Sequence, residues 1–249
     1  MEIFTRDGLF GAFRMAHVIV AVMWMGLLWF FNFVQVPSFA EMDPAARNNA
    51  LDKLTWRALW WFRWAAMATV AFGILLVGIE SGSDNLYSND YWRSTAGATL
   101  LIGILFGFVM LYNVWMVIWP AQQIVIGNAR NVQAGGEADP NAAAAARAGA
   151  MASRQNTIFS LPLLVFMVGA SHFYIDSHFD YKPSTGLWLI YLLVGLAVAI
   201  ILEANALGKV SGRGSTGLNV IYETHKNAMY TGFGLIVGFY LLAEIMLRA

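Results

Sequence analysis

Six long apolar segments recur along the chain, and they constrain what it can fold into more than any other feature. A helix that spans a membrane needs about 20 consecutive apolar residues. The predicted spans run from Leu9 to Pro37, Leu59 to Ile79, Ala96 to Trp119, Thr157 to Tyr174, Thr185 to Leu207, and Leu218 to Leu247. We therefore predict an all-α, polytopic membrane helical bundle. It forms a single domain over residues 1–249, with a cytoplasmic loop at about 121–155.

The composition is typical of a chain immersed in lipid. Hydrophobic residues make up 59% of the 249 residues and charged residues 12%, whereas about 25% of the residues in a soluble domain are charged. The formal net charge is zero, so nothing indicates a nucleic-acid partner. The chain has no cysteine, which excludes disulfides, thiolate catalysis, iron–sulfur ligation and covalent attachment of a c-type haem.

The basic residues predict an orientation, because Lys and Arg prefer cytoplasmic loops. If the loop after the first span is cytoplasmic, that side holds Arg47, Lys53, Arg57, Arg63, Arg130, Arg147, Arg154, Lys209, Arg213 and Lys226. We therefore predict a protein of the bacterial inner membrane with both termini in the periplasm. The loops that carry Asp84, Asp90, Asp176 and Asp180 then form a mildly acidic periplasmic surface.

Three of the four histidines lie within predicted spans, and two of these three lie towards the outer face. His17 interrupts the apolar stretch MAHVIVAVMWMGLLWFFNFVQVP, and His172 lies near the outer end of the fourth span. Polar side chains at membrane depth are expensive and usually functional. Two neutral imidazoles at similar depth on different helices can bind one haem iron from its two faces, so His17 and His172 are predicted to ligate a haem b. The alternative for each is a histidine that only hydrogen-bonds a neighbouring helix.

The residues around His17 fit this prediction. Ala21 and Trp24 share its helix face and offer a small residue and an aromatic ring to a flat macrocycle. Arg14, one turn nearer the surface, is placed to pair with a haem propionate. Asn113 either hydrogen-bonds another helix or lines a cofactor or quinone pocket.

The other two histidines leave more alternatives. His178 stands beside Asp176 and Asp180 in a polar loop, which is typical of a solvated side chain, with weak metal binding as the alternative. His225 lies near the cytoplasmic end of the sixth span. It either ligates a second haem or hydrogen-bonds a polar neighbour such as Glu223. The chain is thus predicted to bind one haem or two.

Three stretches, HVIVAVMWMGLLWFFNFVQVP, NVWMVIWPAQQIVIG and SRQNTIFSLPLLVFMVGASHF, together resemble the urate oxidase N-terminal domain family. That family is the membrane part of the bacterial urate hydroxylase, which is normally fused to a cytochrome c. The first stretch alone is also similar to the copper-resistance D family and to the membrane-bound protoporphyrinogen oxidase. The motif positions carried over are His17 with Trp24 and Gly26, Asn113 with Pro120 and Gln122, and Asn156 with Pro162 and His172.

The resemblance implies a helical membrane domain coupled to an electron-accepting cytochrome. This chain departs from the full enzyme, because without cysteine it has no c-type haem of its own. We therefore expect a separate redox partner, such as a cytochrome c or another redox subunit, at the periplasmic loops.

Three functions remain as hypotheses. The first is a b-type-cytochrome-like subunit that carries electrons between a membrane partner or quinone and an outer-side cytochrome. The second is a membrane urate hydroxylase-like oxidoreductase that uses a separate cytochrome as acceptor. The third is a cofactor-free scaffold subunit of a larger membrane complex. In all three the chain contacts membrane lipid. We expect it to work as a subunit of a membrane complex, whereas urate turnover by the isolated chain would favour the second hypothesis instead.

Overall fold

The computed structural model describes residues 4–79, 88–172 and 183–247, which are mostly helical and contain no strand. The helices of this described part are α1 (Arg6–Glu41), α2 (Pro44–Ile79), α3 (Asn89–Trp92), α4 (Thr95–Gln133), α5 (Ala142–His172), α6 (Thr185–Ala206) and α7 (His225–Leu247). A 3-10 turn, Gly217–Tyr222, lies between α6 and α7. The predicted all-α fold is confirmed.

Five helices of the described residues are long and apolar enough to cross a membrane, namely α1, α2, α4, α6 and α7. Their outer faces carry large exposed apolar side chains, such as Val22, Ile74, Ile200 and Val237. A surface of this kind is rare on a protein in water, where large apolar patches mark interaction sites. The chain is therefore a membrane protein whose apolar faces contact lipid.

The helix α5 is less apolar because it lies at the centre of the bundle. It packs against α1, α4, α6 and α7, and nine of the ten residues 151–160 are buried. Polar side chains are tolerated there, since protein rather than lipid surrounds them. With 31 residues, α5 is about 46 Å long at 1.5 Å per residue. That α5 belongs to a sixth span remains a prediction, as does the location of both termini on one side.

Wide helical turns extend three helices beyond their predicted ends. Residues Phe30–Gln35, Leu51–Thr55 and Asn113–Ile118 form π-helical turns within α1, α2 and α4. A proline lacks the N–H of a regular helix, and its ring clashes with the carbonyl four residues earlier. Pro37 and Pro120 each follow such a widened turn, which moves that carbonyl away and lets the helix continue. The helices therefore continue past Pro37 and Trp119, the residues at which the spans were predicted to end.

The extended helices form a layer that we call the basic end, comprising residues 36–58, 119–154 and 207–224. The helix α1 has 36 residues and is about 54 Å long, whereas the hydrocarbon core of a bilayer is about 30 Å thick. The segment 121–155 was predicted as a loop. In the structure only residues 134–141 lie between α4 and α5, so the basic end is built mainly from helices that continue out of the bilayer.

A band of tryptophans marks where the basic end begins. On α2 and α4 it comprises Trp56, Trp60, Trp64, Trp115 and Trp119, whose rings contact one another in pairs. The guanidinium carbon of Arg63 lies 3.4 Å from the centre of the Trp119 ring. Tryptophan is enriched at membrane–water interfaces, so we place one interface at this band.

The link between α6 and α7 is a turn closed by hydrogen bonds. The buried Asn219 donates from Nδ2 to the carbonyls of Gly212 and Gly214, at 3.1 and 3.0 Å. These bonds give the turn carbonyls of Gly212 and Gly214 a hydrogen-bond donor, which a turn without regular secondary structure does not otherwise supply. The last helix, predicted to begin at Leu218, therefore begins at His225.

Candidate functional site

His17 lies in the half of α1 away from the basic end, where α1 packs against α2. Its Nδ1 is 2.8 Å from the carbonyl oxygen of Thr69. A carbonyl only accepts, so Nδ1 carries the proton and Nε2 keeps its lone pair. A Cβ added to Gly73 would lie 3.2 Å from Cε1 of His17, which shows how closely α2 approaches the ring. Ligating histidines usually hold their other ring N–H on such an acceptor, so this bond leaves Nε2 available as a ligand atom. It is also the bond expected of the alternative, a histidine that only hydrogen-bonds a neighbouring helix.

The residues predicted to accompany His17 differ in burial. Trp24 is 1% exposed, Ala21 is half-buried and Arg14 is exposed. The Trp24 Nε1 has no hydrogen-bond partner among the described residues. The roles of these three residues beside a haem remain predictions.

His172 is the last residue of α5, and its side chain is exposed. Its Nδ1 is 2.9 Å from the carbonyl oxygen of Val168, one turn earlier in the same helix. The ring nitrogen facing that carbonyl is again the protonated one. Whether His172 and His17 ligate one haem remains a prediction, and His178 lies outside the described residues.

His225 is the first residue of α7 and is half-buried at the basic end. Its ring lies 6.0 Å from the ring of Phe33. The neighbouring carboxylate proposed as its partner, Glu223, accepts from Arg147 instead. In the part of the chain that the structure describes, no group of three His, Cys, Asp or Glu residues could hold a metal ion.

A cluster of polar side chains joins α4, α5 and α6 inside the bundle. Asn113 opens the π turn of α4 and donates from Nδ2 to Asn156 Oδ1 at 3.0 Å and to Glu203 Oε2 at 2.8 Å. Asn156 in turn donates from Nδ2 to the carbonyl of Met110 at 3.0 Å. The side chains of Asn113 and Asn156 are fully buried. The amide of Asn113 thus bonds two other helices, and its role in cofactor binding stays a prediction.

Replacing Asn156 by leucine, a side chain of similar volume, is expected to lower the free energy of unfolding by about 2 to 3 kcal/mol. The change leaves one Asn113 N–H buried without its partner, which costs about 1–3 kcal/mol, and it removes one of the hydrogen bonds to the Met110 carbonyl, which contributes about 1 kcal/mol. Thermal unfolding of the purified protein in detergent measures the effect. The control is Asn141→Leu at an exposed position; equal stability of the two variants would contradict a structural role for Asn156.

A second polar group lies where the link between α6 and α7 meets α5. The Tyr222 hydroxyl is 2.7 Å from Gln155 Oε1 and 2.9 Å from the Leu202 carbonyl. Burial raises the pKa of the Tyr222 hydroxyl above its ordinary value, so it stays protonated and acts as a donor. Arg147 pairs with Glu223 at 2.5 Å. These contacts fix the link against the first turns of α5.

A polar cavity of about 400 Å³ lies at the basic end between α1, α2, α4 and α5. Its polar lining comprises Asn32, Gln35, Arg47, Asn48, Thr55, Gln122, Asn128, Ser153 and Arg154. All three π turns contribute lining residues, among them Asn32, Thr55 and Ile118. Wide turns of this kind occur frequently at functional sites.

Hydrogen bonds across the cavity fix the directions of its polar side chains. Asn32 donates from Nδ2 to Ser153 Oγ at 2.8 Å, and Thr55 Oγ1 donates to Gln35 Oε1 at 2.9 Å. The first bond joins α1 to α5 and the second joins α2 to α1. The cavity therefore has a preformed polar wall, as small-molecule sites usually do.

Arg154 is the buried one of the two arginines that line this cavity. It is 7% exposed, and its Nη1 is buried without a hydrogen-bond partner among the described residues. Glu223 acts on it electrostatically but is paired with Arg147. A buried cation is costly unless it is paired, so an anion bound in the cavity would supply what Arg154 lacks.

A second cavity, of about 430 Å³, lies on the other side of the tryptophan band between α4, α5, α6 and α7. Its lining is almost entirely apolar and includes Val165, Phe166, Gly169 and Phe239. An apolar cavity at this depth fits a hydrocarbon chain or ring, and the predicted quinone is a ligand of this type.

Sequence reasoning overlooked the polar cavity. Arg154 was counted only as an inward positive charge, and Asn32 and Gln35 were noted as buried polar residues of the first span without being assigned to a site. One signal was present, because Arg154, Gln155 and Asn156 are consecutive polar residues that directly precede an apolar span. Such a run on a helix is expected to face protein or a cavity rather than lipid.

Comparison with known proteins gives one match. Residues 84–209 match the sequence model of the family described as Urate oxidase N-terminal. The matched region is just over half of the chain and includes Asn113, Arg154, Asn156 and Glu203. No curated protein and no solved structure gives a match.

Proposed function

Since the chain belongs to the urate oxidase N-terminal family, we propose that it is the membrane-embedded domain of an oxidoreductase that binds urate or a similar planar anion in the cavity at the basic end. The observation that carries this proposal is Arg154, a buried cation that lines the cavity and has no carboxylate bound to it among the described residues. The match confirms the membership of this family that the sequence motifs predicted.

The chemistry of the cavity suits such a substrate. Urate presents carbonyl oxygens and N–H groups around a flat ring, and amide side chains can both donate to and accept from such an edge. Gln35 and Gln122 supply amides in the lining. Asn32, whose two side-chain N–H groups donate to Leu28 and Ser153, supplies its Oδ1 as an acceptor. Arg154 supplies a guanidinium that matches an anion with paired N–H donors. Phe31 and Phe62, also in the lining, offer aromatic surface to the ring.

Hydroxylation of a purine by water needs an electron acceptor. The substrate gains a hydroxyl group from water and gives up two electrons and two protons. Without cysteine, the chain has no covalently attached haem c to take these electrons. We therefore propose that a separate cytochrome c or other redox subunit accepts them. Of the acidic residues predicted to form its docking surface, Asp90 is exposed at α3, and Asp84, Asp176 and Asp180 lie outside the described residues.

The proposed location is the bacterial inner membrane, with the basic end in the cytoplasm. The positive-inside rule supports this orientation, because Arg47, Lys53, Arg130 and Arg147 all lie at the basic end. The substrate would then enter the cavity from the cytoplasm.

The test is turnover of urate by membranes that contain the protein, with a soluble artificial electron acceptor. The decrease in the ultraviolet absorbance of urate measures the rate. Arg154→Gln is expected to reduce turnover about 10- to 100-fold, because a hydrogen bond to a charged group contributes about 1.5–3 kcal/mol and about 1.4 kcal/mol is a factor of ten. The matched control is Arg57→Gln, at an exposed position of α2 outside the cavity lining.

Two results would overturn the proposal. The first is a wild-type protein that does not consume urate with any acceptor. The second is an Arg154→Gln variant that turns over as fast as the Arg57→Gln control.

A second proposed role is that of a b-type cytochrome, and the geometry of His17 favours it. The protonated Nδ1 held by the Thr69 carbonyl leaves Nε2 as the nitrogen that would hold the iron. A bound haem b would supply one-electron transfer between the substrate or a quinone and the outer cytochrome. His17 would bind and orient it, with His172 as the predicted second ligand and Arg14 as the predicted partner of a propionate. The scaffold hypothesis, by contrast, requires neither urate turnover nor haem.

A further inference from the structure

The cluster that joins α4, α5 and α6 contains a carboxyl group, Glu203, in the last turns of α6. The cluster is separate from the polar cavity, since neither Asn113 nor Glu203 lines it. Both N–H groups of the Asn113 amide are engaged, one with Asn156 and one with Glu203. The Asn156 amide is likewise engaged with the Met110 carbonyl.

Two oxygen atoms of this cluster remain without a donor. Asn113 Oδ1 and Glu203 Oε1 are both buried and have no hydrogen-bond partner among the described residues. An ionised carboxylate can only accept hydrogen bonds. Both side-chain N–H groups of Asn113 are already used, and Asn156 Nδ2 donates to the Met110 carbonyl. A buried acceptor left without a donor costs about 1–3 kcal/mol, and more when the group is charged. The cluster therefore lacks one hydrogen.

We propose that Glu203 is a proton-binding site within the bundle, in which the neutral carboxylic acid donates from Oε1 to Asn113 Oδ1 while Asn113 Nδ2 donates to Oε2. One proton then satisfies both orphaned oxygens at once, because it makes Glu203 a donor and gives Asn113 Oδ1 its partner. It also removes the charge from a position between three helices, where an unpaired carboxylate is unfavourable. The site does not depend on urate or on haem, so it stands or falls separately from the proposed function.

Among the described residues, no cation pairs with Glu203. Lys209, beyond the end of α6, attracts the ionised carboxylate, but Lys209 is exposed and its charge is screened by water and salt. Tyr222 lies on the 3-10 turn packed against α6 and brings no positive charge. A negative charge on Tyr222 and one on Glu203 would repel each other. On α5, Arg154 lines the polar cavity, and on α4, Arg130 pairs with Asp52 of α2. On α7, His225 lies against Phe33.

Infrared spectroscopy of the purified protein tests the site directly. A protonated carboxylic acid has a carbonyl stretch at higher frequency than carboxylates or peptide groups, and this band shifts in heavy water. We expect the band in the wild-type protein at neutral pH and its loss in Glu203→Gln. The control is Glu41→Gln, at an exposed position of α1, which should keep the band.

A double variant makes the test specific for the pair. In Asn113→Asp combined with Glu203→Gln, acid and amide exchange places, so the same two hydrogen bonds can form and the band should return. Should Glu203→Gln fail to fold, Glu203→Asp keeps the acid but changes its contacts. A shifted band in that variant supports the proposal, and an unchanged band assigns it to another residue and overturns it. A wild-type protein with no such band at neutral pH also overturns it, because Glu203 is then ionised and its buried oxygens are satisfied by water or a cation.

Discussion

Replacing Gly97 by alanine is expected to leave little or no folded protein. Gly97 lies in the first turn of α4, and a Cβ there would lie 2.0 Å from the carbonyl oxygen of Tyr91 and 2.7 Å from Cα of Trp92. Both are backbone atoms of α3, so no side chain can rotate away. Overpacking a core with an extra methyl group typically costs about 1–3 kcal/mol, and contacts this short with backbone place the loss at the upper end or beyond.

The clash would also break the hydrogen bonds that hold α3 on α4. Ser94 caps α4 by accepting from the Gly97 N–H at 3.1 Å and donates to the Tyr91 carbonyl at 2.6 Å. Trp188 of α6 donates to the Trp92 carbonyl at 3.0 Å. Moving α3 by the distance that a methyl group requires therefore disturbs the contact with α6 as well.

Size-exclusion chromatography and thermal unfolding in detergent measure this prediction. The control is Gly127→Ala in the interior of α4, where nothing lies within 4 Å of the added Cβ. That substitution should raise stability by about 0.5–1 kcal/mol, because glycine loses more conformational freedom on folding than alanine. A Gly97→Ala protein that unfolds at the wild-type temperature would show that α3 does not pack on α4 as described.

Replacing His17 by alanine is expected to abolish the low-spin haem spectrum of the purified protein. The imidazole is held by the Thr69 carbonyl with Nε2 left to bind iron, and alanine offers no ligand. Reduced-minus-oxidised absorbance spectra and a pyridine haemochrome assay measure the haem content. His172→Ala should have the same effect if both residues ligate one iron.

The controls for His17 are the two histidines predicted to lie elsewhere. His225→Ala, at the basic end against Phe33, and His178→Ala should leave the spectrum of the outer haem unchanged. A wild-type protein without haem would exclude the cytochrome role and leave urate turnover as the proposal to test. Full haem content in both His17→Ala and His172→Ala would exclude this ligand pair.

Much of the fold was predictable because it depends on local properties of the chain. Apolar runs of sufficient length must leave water, and the residues within them must form helices to satisfy their own backbone groups. Helix ends were predicted less well. Pro37 and Pro120 read as stops, yet each follows a π turn through which the helix continues. Whether a turn widens depends on packing between helices, which neighbouring residues in the sequence do not specify.

For the candidate sites, the sequence likewise indicated single residues but not their partners in space. The sequence alone identified His17 as a polar group that needs a partner, since an imidazole at membrane depth has no water to hydrogen-bond. It did not identify Thr69 as that partner, which lies 52 residues away. From the sequence, Arg154 was predicted only as one of the positive charges on the cytoplasmic side. The packing of the helices places it in the lining of a polar cavity.

By itself the sequence determined the membrane class, the apolar segments, the family resemblance and the absence of cysteine, because each follows from which residues are present and in what order. Only the tertiary structure decided which polar side chains meet. Asn113 reaches Asn156 and Glu203 across 43 and 90 residues, and the cavity draws on four helices. Such meetings depend on how each helix is rotated and how far it slides along its neighbour. Those two quantities are set by the packing of whole helix faces and by no single segment.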